Sequence, residues 1–161
     1  MFNFFKKAVA ANKGIVAPAT GTMVAIETVK DEMFAQKLLG NGVAFQYEGD
    51  YVTICAPADG SLSALFPTGH AFGVTTLDGV ELLVHIGIDT VSADGDGFKI
   101  LGKNQGDSVK AGEPIVEVDL KKLNEKFDMS TMLIITNDNG KKLDFIEFGN
   151  VEKGQSICML I

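Results

Sequence analysis

The chain has 161 residues, 46% of them apolar and 22% charged, a composition suited to one globular domain with a buried core. Its 21 acidic side chains stand against 14 cations, every one a lysine, for a net charge of −7. That balance argues against nucleic-acid binding, where a basic patch supplies most of the affinity, and the absence of arginine removes the bidentate guanidinium as a grip on phosphate or carboxylate.

In chain order, residues 1–13 form a separate tail. Phe2, Phe5 and Val9 share one helical face, with Lys6, Lys7 and Lys13 at its rim. Such a tail could lie as a short amphipathic helix on an anionic membrane surface, or be a frayed terminus. Its lysines follow the first apolar residues, unlike a secretory signal, and no apolar run approaches the ~18 residues of a membrane span. A cytoplasmic location is therefore expected.

From Gly14 the pattern is β, and residues 14–161 are expected to form one domain. Short apolar runs recur between turn signals over 14–16, 22–26, 43–47, 51–56, 61–66, 71–76, 80–88, 115–119, 133–136 and 157–161. With 18 glycines, that spacing predicts an all-β fold, an antiparallel sandwich or barrel-like arrangement with short helical turns. Helix is expected only over 33–39 and over 119–126, the latter with Asp119 as N-cap. Two segments echo each other: Ala17-Pro18-Ala19-Thr20-Gly21-Thr22 and Ala56-Pro57-Ala58-Asp59-Gly60-Ser61. So do Gly106-Asp107-Ser108-Val109-Lys110-Ala111-Gly112 and Gly149-Asn150-Val151-Glu152-Lys153-Gly154, which reads as re-use of turn and strand units. Cys55 and Cys158 lie in apolar runs and are expected to be buried small hydrophobes.

The only two histidines, His70 and His85, lie fifteen residues apart with Asp78-Gly79 between two β-prone runs. A two-residue type I′ turn at Asp78-Gly79 would pair Leu77 with Val80, set Phe72 opposite His85 and His70 opposite Gly87. Both imidazoles would then share one face, diagonal neighbours about 7 Å apart at the backbone. A three-residue loop would shift the register by one and split them. The same alternation sends Val80, Leu82, Val84, Ile86 and Ile88 to a core face. Glu81, Leu83, His85, Gly87 and Asp89 go to the other, with Phe72 and Val74 joining from the partner strand. Apolar area beside a reactive group suggests a docking surface, unless a second layer covers it.

Three readings compete for the pair. Both rings could be hydrogen-bonded structural groups. They could share a zinc ion, although a stable site needs three or four ligands and the cysteines are remote in sequence. Or one could act as a nucleophile with the other as its hydrogen-bonding partner, Thr68 fixing the tautomer of His70. The third reading also accounts for the missing arginine, since too strong a clamp on a phosphorylated histidine would deepen a trap instead of favouring the transition state.

The blocks Phe66-Pro67-Thr68-Gly69-His70-Ala71-Phe72 and Gly79-Val80-Glu81-Leu82-Leu83-Val84-His85-Ile86-Gly87-Ile88-Asp89-Thr90-Val91 closely resemble the glucose-family IIA component of the bacterial sugar phosphotransferase system. The likeness continues through residues 34–44 and 95–98 and covers nearly all of 14–161. The resemblance implies an antiparallel β-sandwich and a phosphotransferase component working through phosphohistidine. His85 would accept a phosphoryl group from the phosphocarrier HPr and pass it to a cysteine of a IIB domain. His70 would stabilise that group, and Thr68 would orient His70. It further implies a docking patch at Met33, Phe34, Leu38, Leu39 and Leu83, with Asp31 and Asp89 suited to a basic partner. No cofactor is required, though zinc could bridge His70 and His85.

Two other classes are less well supported by the residues. Zinc metallopeptidases of related β architecture need a His-x-His pair, and position 87 is glycine. A biotinyl or lipoyl carrier is suggested by residues 109–114, but no Met-Lys hairpin tip occurs.

Overall fold

The computed structural model describes residues 14–161, so the expectation for residues 1–13 lies outside the described residues. Fourteen strands dominate the described residues, and every pairing among them is antiparallel. They are β1 (Ile15–Val16), β2 (Gly21–Ala25), β3 (Asn41–Gln46), β4 (Tyr51–Cys55), β5 (Gly60–Leu65), β6 (Ala71–Thr76) and β7 (Glu81–Ile86). Then follow β8 (Phe98–Ile100), β9 (Ser108–Val109), β10 (Pro114–Asp119), β11 (Thr131–Asn137), β12 (Leu143–Phe145), β13 (Gly149–Val151) and β14 (Ser156–Leu160). Among the described residues, helix is confined to α1 (Glu32–Ala35), α2 (Leu120–Leu123) and 3₁₀ turns at Ile26–Thr28 and Thr90–Ala93. As expected, Asp119 caps α2, its Oδ1 accepting from the Lys122 amide at 3.0 Å. None of these helices is long and apolar enough to cross a membrane.

An eight-stranded sheet runs in the order β13-β2-β3-β11-β7-β6-β5-β9, beside two three-stranded sheets, β4-β10-β8 and β1-β14-β12. The large sheet does not close on itself, so the fold is a sandwich and not a barrel. Its inner face supplies Phe45, Phe72, Leu82, Val84, Ile86 and Leu133 to one core, which Ile54, Ile115, Val116 and Ile157 join from the small sheets. Each such side chain removed from water contributes about 1.5–3 kcal/mol.

The repeated segments occupy equivalent places. Ala17 N–H donates to Gln155 O and Ala17 O accepts from Gly154, while Ala56 N–H donates to Glu113 O and Ala56 O accepts from Gly112. Beside them, Gly21 pairs with Val151 just as Gly60 pairs with Val109. The two copies also join each other, through Val16 N–H to Pro57 O and Cys55 N–H to Pro18 O. Both cysteines are free and buried; burial pushes the Cys158 thiol up to about 11 and raises that of Cys55. Neither carries thiolate character at neutral pH.

The histidine hairpin differs from its expected form. Ala71, not Phe72, pairs with His85, and Phe72 pairs with Val84. The loop has three residues, 77–79, closed by Gly79 N–H to Thr76 O at 3.0 Å and Thr76 N–H to Val80 O at 2.9 Å. Only Gly79 (φ +84°) is left-handed, whereas a type I′ turn needs positive φ at Asp78 as well. Thr76 selects the longer loop. Its hydroxyl donates to Asp78 Oδ1 at 2.5 Å and accepts from Val80 N–H at 3.0 Å, satisfying polar groups that a tighter turn would leave unpaired.

The register shift corrects two assignments. Phe72 and Val74 belong to the main core and are buried; Phe72 is therefore not part of a docking surface. Ile88 leaves the core face because the chain turns at Gly87 (φ +80°), and it joins a second cluster instead. That cluster, Ile26, Val29, Phe34, Ala44, Ile88, Met132 and Ile134, lies on the outer face of the large sheet, with Val24, Leu39 and Leu83 packed against it.

Candidate active site

His85 projects from the outer face of β7, flanked in the sheet by Ala71 of β6 and Met132 of β11. Opposite His85 and Leu83, β6 contributes only the small Ala71 and Gly73 to this face, so the surface beside His85 is low. His70 reaches it by a different route. Phe66 N–H donates to Ala71 O, closing a four-residue loop of Pro67, Thr68, Gly69 and His70. His70 is thus the last loop residue, not a pleated strand residue, and strand alternation does not govern its direction. Gly69 makes the bend at φ +77°, where a Cβ would be strained and would also meet Phe98 Cβ at 3.0 Å.

The two rings meet edge to face, their centroids 5.3 Å apart at 79°. His85 Nδ1 lies 2.9 Å from Gly87 O. A carbonyl oxygen only accepts, so Nδ1 carries the proton, and Nε2 of the neutral ring holds the lone pair. Thr68 Oγ1 and His70 Nδ1 share a 2.5 Å hydrogen bond. Each ring also touches a phenylalanine at 5.2 Å between centroids, Phe34 on His85 and Phe66 on His70.

Burial drives both imidazoles toward the neutral state. His70 is only 3% exposed, and desolvation together with the positive charge that His85 can carry holds its pKa below 6.5. Desolvation also lowers His85; the Gly87 carbonyl and the carboxylates of Asp31 and Asp89 pull it only part of the way back. A folded state that binds protons more weakly than the unfolded chain loses stability in acid. The stability these rings confer is complete above pH 6.5 and falls as the pH drops from there through their depressed values. Each tenfold weakening of proton binding corresponds to about 1.4 kcal/mol. Urea midpoints at pH 7.5 and pH 5 should therefore differ less for His70→Gln than for the parent; an equal fall in both chains would assign the acid sensitivity to carboxylates.

The remaining expected residues differ in exposure. Met33 and Leu38 are 51% and 66% exposed. Phe34, by contrast, is buried between His85 and the second cluster, and Leu39 and Leu83 are half-buried against that cluster. Asp31 is the N-cap of α1, its Oδ1 accepting from Met33 N–H at 2.9 Å, and Asp89 is exposed with φ +60°. Sequence reasoning gave no role to Phe66 or to the Gly87 carbonyl. A glycine interrupting an alternating strand is the available signal for the second, because it marks a close backbone approach.

No group of three or more His, Cys, Asp or Glu among the described residues is arranged to hold a metal. With both Nδ1 atoms engaged, the pair has two nitrogens to offer, and a tetrahedral zinc would need two further ligands from elsewhere.

Known proteins resemble the chain over most of its length. Residues 13–141 match the family model described as phosphoenolpyruvate-dependent sugar phosphotransferase system, EIIA 1. The chain is 40% identical over 158 residues to the glucose-specific EIIA component of Mycoplasma capricolum, covering 98% of each. It is 39% identical over 153 residues to the glucose-specific EIICBA component of Staphylococcus carnosus, and 42% identical over 146 residues to the N-acetylglucosamine-specific EIICBA component of Klebsiella pneumoniae. In these two it covers 94% and 89% of itself but only 22% of the relative. The solved structure of glucose permease IIA from Mycoplasma capricolum superposes with a TM-score of 0.83 at 40% identity, over 89% of this chain and 92% of that one.

Proposed function

This chain belongs to the EIIA 1 family of the phosphoenolpyruvate-dependent sugar phosphotransferase system, and on that premise we propose that His85 is the residue that carries the phosphoryl group. The observation that bears most weight is the hydrogen bond from His85 Nδ1 to Gly87 O. It leaves Nε2 as the nucleophile, and burial keeps the ring neutral at cellular pH.

The donor is phosphorylated HPr. Its nitrogen–phosphorus bond breaks as a bond from phosphorus to His85 Nε2 forms; transfer to a cysteine sulfur of a IIB domain then returns the lone pair to Nε2. His70 stabilises the moving group. With the Thr68 hydroxyl donating to its Nδ1, the His70 proton sits on Nε2 and can be donated to a phosphoryl oxygen. The acceptor side is supported by the EIICBA relatives, in which an EIIA-like portion is joined to the rest of a permease component. Glucose is the sugar named for the relative matched from end to end, and we assign this chain to glucose uptake on that basis.

Docking rests on Met33, Leu38, Phe66 and the half-buried Leu39 and Leu83, an apolar rim around two neutral rings. Asp31 and Asp89 give that rim a negative charge that favours a basic partner. No step of this transfer uses zinc.

Incubation with HPr, enzyme I and labelled phosphoenolpyruvate should place one phosphate per chain, labile in acid and stable in base. Acid-stable label, or none, would overturn the assignment.

A further inference from the structure

We propose that Thr90 is a positioning residue for phosphoryl transfer, holding the Gly87 carbonyl where it fixes the tautomer of His85. The inference rests on the phosphoryl-carrier reading of His85. Thr90 is one of three buried polar or charged residues among those described, beside His70 and Thr131. Its Oγ1 donates to Ile86 O at 2.6 Å.

That bond acts on the backbone beside the nucleophile. The peptide joining Ile86 to Gly87 is held at both ends: its carbonyl by Thr90 Oγ1, its N–H by Ser130 O at 3.0 Å. The next peptide, joining Gly87 to Ile88, has its N–H on Asp128 O at 2.8 Å. Its carbonyl is the Gly87 oxygen that receives His85 Nδ1. Two peptide planes are rigid units, so fixing both leaves Gly87 φ and ψ no freedom to turn the carbonyl away. Position 87 must be glycine for this. Its φ is +80°, and a Cβ there would collide with Thr90 Cγ2 and come within 2.9 Å of Met129 Sδ.

Without the threonine hydroxyl, Ile86 O loses its buried partner and the first plane can rotate. The Gly87 carbonyl then drifts, and the neutral imidazole of His85 spreads over both tautomers. Only one of them leaves the lone pair on Nε2.

Thr90→Val keeps the shape and removes the hydroxyl; Thr90→Ser keeps the hydroxyl and removes the methyl that abuts Gly87. Nitrogen-15 NMR of the unphosphorylated chain at pH 8 reads the tautomer directly. The parent and Thr90→Ser should both show a protonated Nδ1 and a lone-pair Nε2. Thr90→Val should show averaged nitrogen shifts and accept phosphate from phospho-HPr about tenfold more slowly. Thr90→Ala, which adds no bulk, carries the same expectation should valine disturb folding. A parent-like tautomer in the valine or alanine chain would overturn the proposal, as would a serine chain that averages. The spectrum needs no phosphate, so a parent that takes no label would overturn the carrier assignment while leaving this one to be judged on its own.

Discussion

Replacing His85 with glutamine should abolish phosphate incorporation from phospho-HPr, while the chain keeps its fold. The expectation follows from what glutamine retains and what it lacks. Its amide can still hydrogen-bond near Gly87 O and fill space against Phe34, so the second cluster loses little packing. An amide nitrogen has no basic lone pair, however, and cannot form the phosphorus–nitrogen bond. The deficit is therefore the loss of a covalent step and not a weakening of one. Label counted after minutes with excess donor should fall from about one per chain to background. Labelling at His70 in the parent would reverse the two roles. Undiminished label in His85→Gln with none on His70 would remove histidine chemistry from this site altogether. With no tryptophan and two tyrosines the near-ultraviolet dichroism is weak, so amide NMR dispersion is the better folding control.

Much of the fold was legible because it is written in local rules. Strand β6 occupies the residues expected of it, and the alternation along β7 places Leu82, Val84 and Ile86 inside and Leu83 and His85 outside. The echoed Ala-Pro segments read as re-used units, and they occupy equivalent positions, each joined to its own glycine-bounded loop. Strands β8 and β12 went unread, and β9 and β13 were read only as parts of an echoed turn-and-strand unit. At two or three residues they are too short to show a period, and they exist because a neighbouring strand supplies the pairing.

At the site, the sequence led to the right juxtaposition by an incorrect path. An Asp-Gly pair is a strong turn signal, but the side chain of Thr76 decides the loop length here, and hydrogen bonds from one threonine lie below the reach of a turn propensity. The one-residue shift moved Phe72 into the core. It would also have separated the histidines, had His70 been a strand residue. Loop geometry, which no periodicity reports, returned His70 to its partner. Thr90 went unnoticed for a related reason. Its contacts are to backbone, and a sequence pattern cannot say which carbonyl a hydroxyl will meet.

His70→Gln should separate the two halves of the carrier cycle. The proposed nucleophile is untouched: His85 keeps its Gly87 hydrogen bond, and it also loses a neighbour whose positive charge would oppose its own. Acceptance from HPr should therefore persist, with label close to one per chain. Onward transfer is different, because the leaving nitrogen of His85 must release a group whose charge grows on its oxygens. On the proposed roles, the parent's buried imidazole, held by Thr68, would meet that charge with a preorganised N–H. A glutamine amide has an N–H of similar reach, but nothing corresponding to the Thr68 contact aims it, and it cannot take up positive charge. General acid–base and electrostatic contributions of this kind are worth about 10²–10⁴ in rate. The chase from labelled His70→Gln to a IIB domain should be slower than the parent's by roughly 10² or more. Rapid-quench measurement of the two half-reactions decides between roles. Equal chase rates for mutant and parent would reduce His70 to packing. Loss of acceptance alone would place it on the donor side, where the missing arginines of this chain leave the HPr surface to supply the positive charge.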